Sequence, residues 1–567
     1  MGDIIQQIEF EKETIGHILK DKSLFVPRHQ RPYKWVDEHV NALYKDLRGA
    51  LGDEEYFLGS IVVVKSKKGF EVNDGQQRLA TSLILIAAIR DYFFWKKDTK
   101  NAKRVETQYL LTENVRTDEV EARLHLSGQD HEIFLNRVLR SPDDELRKRW
   151  EDQEPTRESN KRILKAAQIA KKFVKDIAGG KTATPEQQTT ALWDWLDFLV
   201  KSARVMWVEV SDARTAYLIF ETMNDRGLDL SSADLLKNRL LAEAGDREDA
   251  AFEAWQRMLG KLEKLSEGET AVVDYIRYLW ISTRGHVRTR ELYDKIKTSI
   301  KNKTDAMNFA SELENRAGDY TALYTPTDDK WNGYGATVRN RIQALDILGA
   351  KQVRTMLLAA LPCFSVKQMS NLLWASVCWS VRFLVTQTPS GNLEAYYGKV
   401  AIEIKNNKVR TADGVTKLML ESLPDDEKFQ KAFETLVVSQ PPFVTYYLRT
   451  LQLKQDNALE AEYSPSETSD INREHIMPEI LGSDWSHIPQ DQAKQFLNRL
   501  GNQVLMKQTE NSAAGNSGYP VKKKALLASK YSLTKSAGEY KEWTLDTIRE
   551  RQALLAALAV KAWPLRH

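Results

Sequence analysis

The alternation of apolar and polar positions divides the chain into segments of different character. The stretch "YFLGSIVVVK" (56–65) is β-branched and almost continuously apolar, which predicts a buried strand, and "GFEVND" (69–74) predicts its neighbour. Residues 77–97 read as the helix that follows, so the three pieces predict a small β-β-α unit. Upstream, residues 3–50 read as short helices around an extended piece, "SLFVPRHQRPYKW". From about 100 to 200 the pattern is helical and heavily charged, with Thr184 as N-cap and Pro185 as first residue of one helix. In "ARVMWVEV" (203–210), Val205, Trp207 and Glu209 alternate against Met206, Val208 and Val210, a strand pattern. "TAYLIFETMN" predicts a helix, followed by a glycine-containing turn and the helix "SSADLLKNRLLAEA". Residues 246 to about 455 are almost wholly helical in pattern and show no internal repeat, and the polar stretch 454–470 reads as a linker. The expectation is a predominantly helical α+β chain of three domains, 1–245, 246–455 and 456–567.

Composition narrows the class. A chain of 567 residues is too long for one core. Its 82 basic and 79 acidic residues nearly cancel, so any nucleic-acid surface has to be a local patch. Cys363 and Cys378 are the only cysteines, and neither sits in a zinc-binding spacing, which suits a reducing cytoplasm. The N-terminus lacks a cationic start before an apolar core, and Gln6 stands where N-myristoylation needs Ser or Thr. The longest nearly apolar run, Leu79 to Ile89, is too short to span a bilayer. The expectation is a soluble cytoplasmic protein with no membrane partner.

One stretch carries more polar chemistry than a turn requires. Asp74, Gly75, Gln76, Gln77 and Arg78 lead directly into the apolar helix. A helix N-terminus presents free N–H groups and partial positive charge, Gly75 permits close backbone approach, and Arg78 can clamp a phosphate. Asp74 suits a metal or a ribose hydroxyl. The plainer reading is that Asp74 caps the helix and Arg78 forms a surface ion pair. Two further stretches shift that balance. One holds Gln30, Arg31, Tyr33 and Trp35; the other holds Asn224, Arg226, Gly227, Asp234, Lys237 and Asn238. Each alone has a structural reading, since Pro32 fixes an extended piece and Ser231 caps a helix. Together they bring three arginines, a lysine and several amides to turns and helix starts, which is what a polyanionic ligand requires. "AGGKT" (178–182) resembles a phosphate-binding loop, but Lys175 occupies its first glycine position and a helix-stopping glycine explains it better.

Near the other end, Glu474 and His475 are adjacent, with Pro478 beyond, then Gly501-Asn502, Asn511 and the run Lys522, Lys523, Lys524. A lone histidine is more often a packing residue than a catalyst; the acid–imidazole pair and the later amides change the odds. Phosphodiester hydrolysis needs a base for water and a cation for the departing oxygen. An imidazole titrates near neutrality, and carboxylate and amide oxygens suit Mg²⁺. In that scheme His475 is the general base, Glu474 and Asn511 hold the metal, and Asn502 braces the loop carrying His475. The three lysines would meet DNA phosphates; their plainer reading is a solvated helix face.

The segments "VPRHQRPYKW", "NDGQQRLATSLIL" and "FETMNDRGLDLSSADLLKN" resemble, in order and spacing, the N-terminal domain of GmrSD-type modification-dependent restriction enzymes over roughly residues 5–245. That domain is related to the ParB/sulfiredoxin nucleotide-binding fold. Residues 456–567 resemble the HNH nuclease domain, a ββα-metal unit, found at the C-terminus of the same enzymes. The resemblance implies binding and hydrolysis of a nucleoside triphosphate (GTP, ATP or UTP) around Asp74–Arg78, with Asn224, Arg226 and Lys237. It also implies sensing of modified DNA through His29, Gln30, Arg31, Tyr33 and Trp35, where His29 replaces the tyrosine usual in the family. Gly501-Asn502-Gln503 stands where Gly-Asn-Leu is common. The implied protein is a nucleotide-regulated endonuclease of bacterial antiphage defence, dependent on Mg²⁺ or another divalent cation, that nicks or cleaves modified or foreign DNA. The alternatives are a DNA-binding NTPase switch with an inactive nuclease domain, and a phosphorothioate-dependent NTPase and nickase. Glucosylated hydroxymethylcytosine and phosphorothioate both remain open as the modification, and a homodimer remains open as the assembly.

Overall fold

The strongest sequence signal, the apolar run 56–65, forms the middle of a six-stranded mixed sheet. The computed structural model describes residues 8–52, 55–113, 120–179, 183–212, 215–216, 219, 232–265, 268–457, 471–507 and 517–566. Its contacts divide the chain into two units, Met1–Glu248 and Asp249–His567. In the first unit the strands are β1 (Ile8–Thr14), β2 (Leu24–Phe25), β3 (Tyr56–Ser66), β4 (Gly69–Asp74), a separate small pair β5 (Leu111–Glu113) and β6 (Val120–Ala122), then β7 (Leu124–His125) and β8 (Ala203–Val210). The main sheet runs β1-β8-β3-β4-β2-β7. β3 pairs antiparallel with β4 and parallel with β8. Both faces of β3 are covered: Ile61 and Val63 join the main core, while Val62 and Val64 pack with Val208 and Val210. That double burial is why the run is continuous and not alternating.

The helices around this sheet follow their caps. They include α1 (Ile15–Asp21), α2 (Asp37–Gly49), α3 (Gln76–Trp95), α4 (Glu158–Ile177), α5 (Pro185–Lys201) and α6 (Ser232–Ala244). Thr184 caps α5 as expected, in a reciprocal arrangement with Gln187. α4 stops before Gly179, which adopts φ +78°, so the "AGGKT" stretch begins as a helix terminus; residues 180–182 lie outside the described residues. α3 is buried along nearly its whole length. Its Arg90 is fully buried and donates to Asp91, Glu106 and the carbonyls of Val138, Leu139 and Arg140. This saturated network fastens the charged 100–150 region onto α3. That region is also less uniformly helical than its pattern predicts, since it contains β5, β6 and β7.

Residues 8–14 depart from the sequence reading, which placed short helices there. They form β1, antiparallel to β8 with Phe10 opposite Val208. β1 is an edge strand with Glu9, Phe10, Glu11 and Lys12 all exposed, so its apolar period is faint and its partner is remote in sequence.

The second unit is helical up to Gln455, then contains the antiparallel pair β9 (Ile471–His475) and β10 (Gln503–Lys507). Three helices matter below: α7 (Pro441–Gln455), α8 (Tyr519–Ala528) and α9 (Leu545–Ala562). Buried cations tie them to loops. Arg551 donates to the carbonyls of Leu500, Gly501 and Gln503, and Arg382 to those of Trp563 and Pro424. Gln552 reaches the carbonyl of Phe433 at 2.7 Å. The helical segment and the C-terminal segment therefore share one unit, and of the expected linker only 454–457 is described. Among the described residues no helix is long and apolar enough to cross a membrane.

Candidate functional site

The first candidate site lies where β4 turns into α3. Asp74 ends the strand and Gly75 occupies the N-cap with φ 90° and no side-chain cap. A Cβ on Gly75 would fall 2.9 Å from Ile61 Cγ1 and 3.3 Å from the Ser60 carbonyl oxygen. Glycine is thus required twice, for the left-handed backbone and for the tight approach to β3. The first-turn N–H groups of α3 are left to face the adjoining pocket. Asp74 does not cap the helix. It accepts from the Gly75 N–H and lies 3.6 Å from Arg78, and burial pushes its carboxyl above the usual carboxylate pKa despite that neighbour. Arg78 also donates to the carbonyl of Leu58 at 2.6 Å. Gly59 makes room for it, because a Cβ there would fall 2.2 Å from the guanidinium. The sequence reading missed Gly59; the signal was a lone glycine inside an otherwise β-branched strand.

The two glutamines have a mechanical role. Gln76 donates to the carbonyl of Arg31 and Gln77 to that of Pro32, while Gln77 accepts from the Lys34 N–H at 2.9 Å. They fasten the extended 30–35 segment across the head of α3. Gln30, Arg31 and Trp35 line the pocket together with Asn73, Asp74–Arg78, Asp234, Lys237 and Asn238, and the described walls enclose about 70 Å³. The Arg31 side chain has no ion-pair partner among the described residues. Lys237 is buried 3.5 Å from Asp234, and burial lowers its basicity. The Asn238 side-chain oxygen is buried without a hydrogen bond among the described residues.

Two residues of the expected sensing set do not line this pocket. Tyr33 is buried, its hydroxyl 2.7 Å from Thr81 and its N–H on Asp130, because an aromatic ring on the clamped segment fills the core below. His29 turns to Glu248, 2.8 Å from Nδ1. Neither lines the pocket. Asn224, Arg226 and Gly227 lie outside the described residues.

The second candidate site is the hairpin β9–β10. His475 pairs with Gln503 and Glu474 with Val504. Asn502 is fully buried at the start of β10. Its side-chain oxygen accepts from the Met477 N–H at 2.8 Å and the Trp543 indole at 3.1 Å, and its amide donates to the carbonyls of Met477 and Leu497. With all four capacities filled, Asn502 holds the chain after His475 and has no oxygen left for a metal.

The lysine run divides three ways. Lys522, on α8, is buried and donates to Glu474 Oε1 at 3.0 Å and to the His475 carbonyl at 2.7 Å. It therefore does not face solvent, where a DNA phosphate contact was expected; the half-buried Glu474 carboxylate draws it inward. Lys523 donates to the carbonyl of Tyr540, and Lys524 is exposed. The packing of Tyr519 and Leu526 with Ile476, Met477, Val504 and Met506 sets α8 against the hairpin, a two-strand-and-helix arrangement.

His475 is half-buried, and its Nε2 is enclosed without a hydrogen-bond partner. Burial, reinforced by Arg473, holds its pKa below the usual histidine value, with Asn498 and Glu474 pulling the other way. The ring is therefore neutral at neutral pH and offers an unoccupied basic nitrogen. The second oxygen of Glu474 has no partner among the described residues. That oxygen suits a divalent cation that takes few protein ligands, although no group of three or more His, Cys, Asp or Glu gathers among the described residues. Asn511 lies outside them.

Two family models match the chain. The family model described as "GmrSD restriction endonuclease, N-terminal domain" matches residues 10–241. The one described as "GmrSD restriction endonucleases, C-terminal domain" matches residues 423–558. The second match begins within the helical segment, where Phe433 and Leu436 receive Gln552 of α9. No curated protein matches the chain.

Proposed function

Because the chain belongs to the GmrSD-type restriction endonucleases, we propose that it is a nucleotide-regulated, divalent-cation-dependent endonuclease of antiphage defence that cuts modified DNA at His475. The observation that carries this reading is the enclosed, unpartnered Nε2 of His475 beside the Glu474–Lys522 pair. A neutral imidazole accepts the proton of an attacking water, and its depressed pKa keeps it neutral through the physiological range. Lys522 fixes the Glu474 carboxylate and the His475 carbonyl from one ammonium, so acid and base are oriented together. Glu474, with Asn511 as a further ligand, would hold Mg²⁺ or a related ion, which supplies charge stabilisation for the departing oxygen. The two-strand-and-helix arrangement supports an HNH type of nuclease unit.

The pocket at the head of α3 is the proposed triphosphate site. Unshielded N–H groups, Arg31, Arg78 and Lys237 provide the attraction for phosphate, and Asp74 and Asp234 provide oxygens for a metal or a ribose. Gln30, Arg31 and Trp35 are the residues of the expected sensing set that stand beside it. The decisive experiment is digestion of supercoiled plasmid in Mg²⁺ by the parent and by His475→Ala. The expected result is loss of nicking in the variant; equal cleavage by both removes His475 from the mechanism. Plain, glucosylated and phosphorothioated DNA, each with and without GTP, ATP or UTP, then identify the modification and the nucleotide.

A further inference from the structure

A further cavity lies wholly within the second unit and takes no part in either site above. It encloses about 570 Å³, within the range of small-molecule sites. Four cations line it, Arg341, Arg449, Lys454 and Lys561, and the described lining contains no carboxylate. In a chain whose acids and bases nearly balance, that one-sidedness needs a reason. The cations are also graded by depth. Arg449 is buried, whereas Lys454 and Lys561 are exposed and have no ion-pair partner among the described residues. Two aromatic side chains, Trp374 and Tyr446, line it as well. Arg341 is already placed over the Trp374 ring at 5.5 Å and held by the Ser370 carbonyl at 2.7 Å. The remaining wall is largely apolar, with Ile347, Val377 and Leu453.

A ligand suited to this lining has a flat ring for the aromatic and apolar wall and a phosphate for the lysines at the mouth. We propose that this cavity is a nucleotide site separate from the pocket at the head of α3, receiving one nucleotide unit with its base inward and its phosphate on Lys454 and Lys561. The unit has two possible sources, a free nucleotide or a nucleotide rotated out of a DNA duplex, and the chemistry recognised is the same. Asn472 of β9 also lines the cavity, two residues before Glu474. Occupancy would thus be felt by the strand that carries the proposed base.

The test uses the full-length chain and two probes, deoxycytidine monophosphate in equilibrium dialysis and a duplex with one mispaired 2-aminopurine, whose emission rises when the base leaves the stack. The variants are Lys454→Glu/Lys561→Glu, at exposed positions, and Trp374→Ala. Their fold is checked by circular dichroism and thermal midpoint. If the source is a free nucleotide, both variants bind the mononucleotide about tenfold more weakly or worse, the effect of losing a base–aromatic contact. If the source is DNA, the mononucleotide is not retained, and the emission rise at saturating duplex is lost in both variants. Saturation separates this from the general loss of attraction that added acids cause. Arg78→Ala, at the head of α3, leaves both readings unchanged. The proposal is overturned if the parent binds neither probe, if both variants behave like the parent, or if Arg78→Ala alone abolishes binding. The last outcome would assign the nucleotide to the α3 pocket and leave that earlier reading standing.

Discussion

The pocket at the head of α3 and the β9–β10 hairpin both gather charge around a strand end, but they leave different atoms unsatisfied. In the first, side chains from three distant segments converge, and most are already engaged: Gln76 and Gln77 staple a strand-like segment, and Arg78 holds Asp74 and a carbonyl. What stays open is backbone N–H, the Arg31 guanidinium and the Asn238 oxygen. In the second, Asn502 and Lys522 satisfy many of the polar atoms, and among those left over are the imidazole nitrogen of His475 and one oxygen of Glu474. The first arrangement suits holding an anion, whereas a single orphaned base in a rigid frame suits moving a proton.

The sharpest way to break this contrast is to remove the orphan. His475→Ala is expected to lower plasmid cleavage by about a hundredfold or more, the usual range for a general base, while triphosphate binding at α3 is unchanged. Loss of both together would mean that the two sites do not divide the work. The pH profile gives a second view of the same atom. A base must be neutral to act, so activity falls as pH drops through its pKa. Because burial lowers that pKa, the acid limb is expected below the ordinary histidine value. An acid limb at or above that value would place the titrating group elsewhere.

Lys522→Met tests the frame. It leaves Glu474 without its ammonium and the His475 carbonyl without its donor, in a site where Lys522 is 3% exposed. A loss of about 3 kcal/mol in unfolding free energy is expected, together with reduced cleavage, whereas Lys524→Met changes stability by less than about 0.5 kcal/mol. Equal effects from the two variants would return Lys522 to the surface role that its sequence suggests.

That lysine shows where the sequence was legible and where it was not. The run "VKKKALL" reads as an apolar valine facing in and lysines facing out, yet Val521 is 51% exposed and Lys522 is buried. The reversal depends on a carboxylate 48 positions away, which no local periodicity reveals. The same limit hid β1, whose charged pattern is that of an edge strand and whose register is set by β8. It also hid the inward turn of Tyr33, fixed by Thr81 and Asp130. By contrast, β3, β4 and α3 were readable because one continuous segment contains strand, turn and helix with their glycine. Asn502 was readable as a brace because its partner Met477 follows His475 on the adjacent strand's extension.

The smallest expected effects concern the frame of the first pocket. Gly75→Ala puts a side chain on a backbone at φ 90° and 2.9 Å from Ile61, so a cost of about 1–3 kcal/mol is expected. The strain falls on the turn that aims the first N–H groups of α3, so triphosphate affinity should fall further than stability alone explains. Tyr33→Phe removes only the hydroxyl that meets Thr81, at about 1 kcal/mol. Since Tyr33 lies beneath the clamped segment and does not line the pocket, that variant should bind triphosphate and respond to modified DNA as the parent does. A Tyr33→Phe protein that folds normally but no longer distinguishes modified from plain DNA would show that the hydroxyl reaches the ligand after all, and that the 30–35 segment lifts off α3 during recognition.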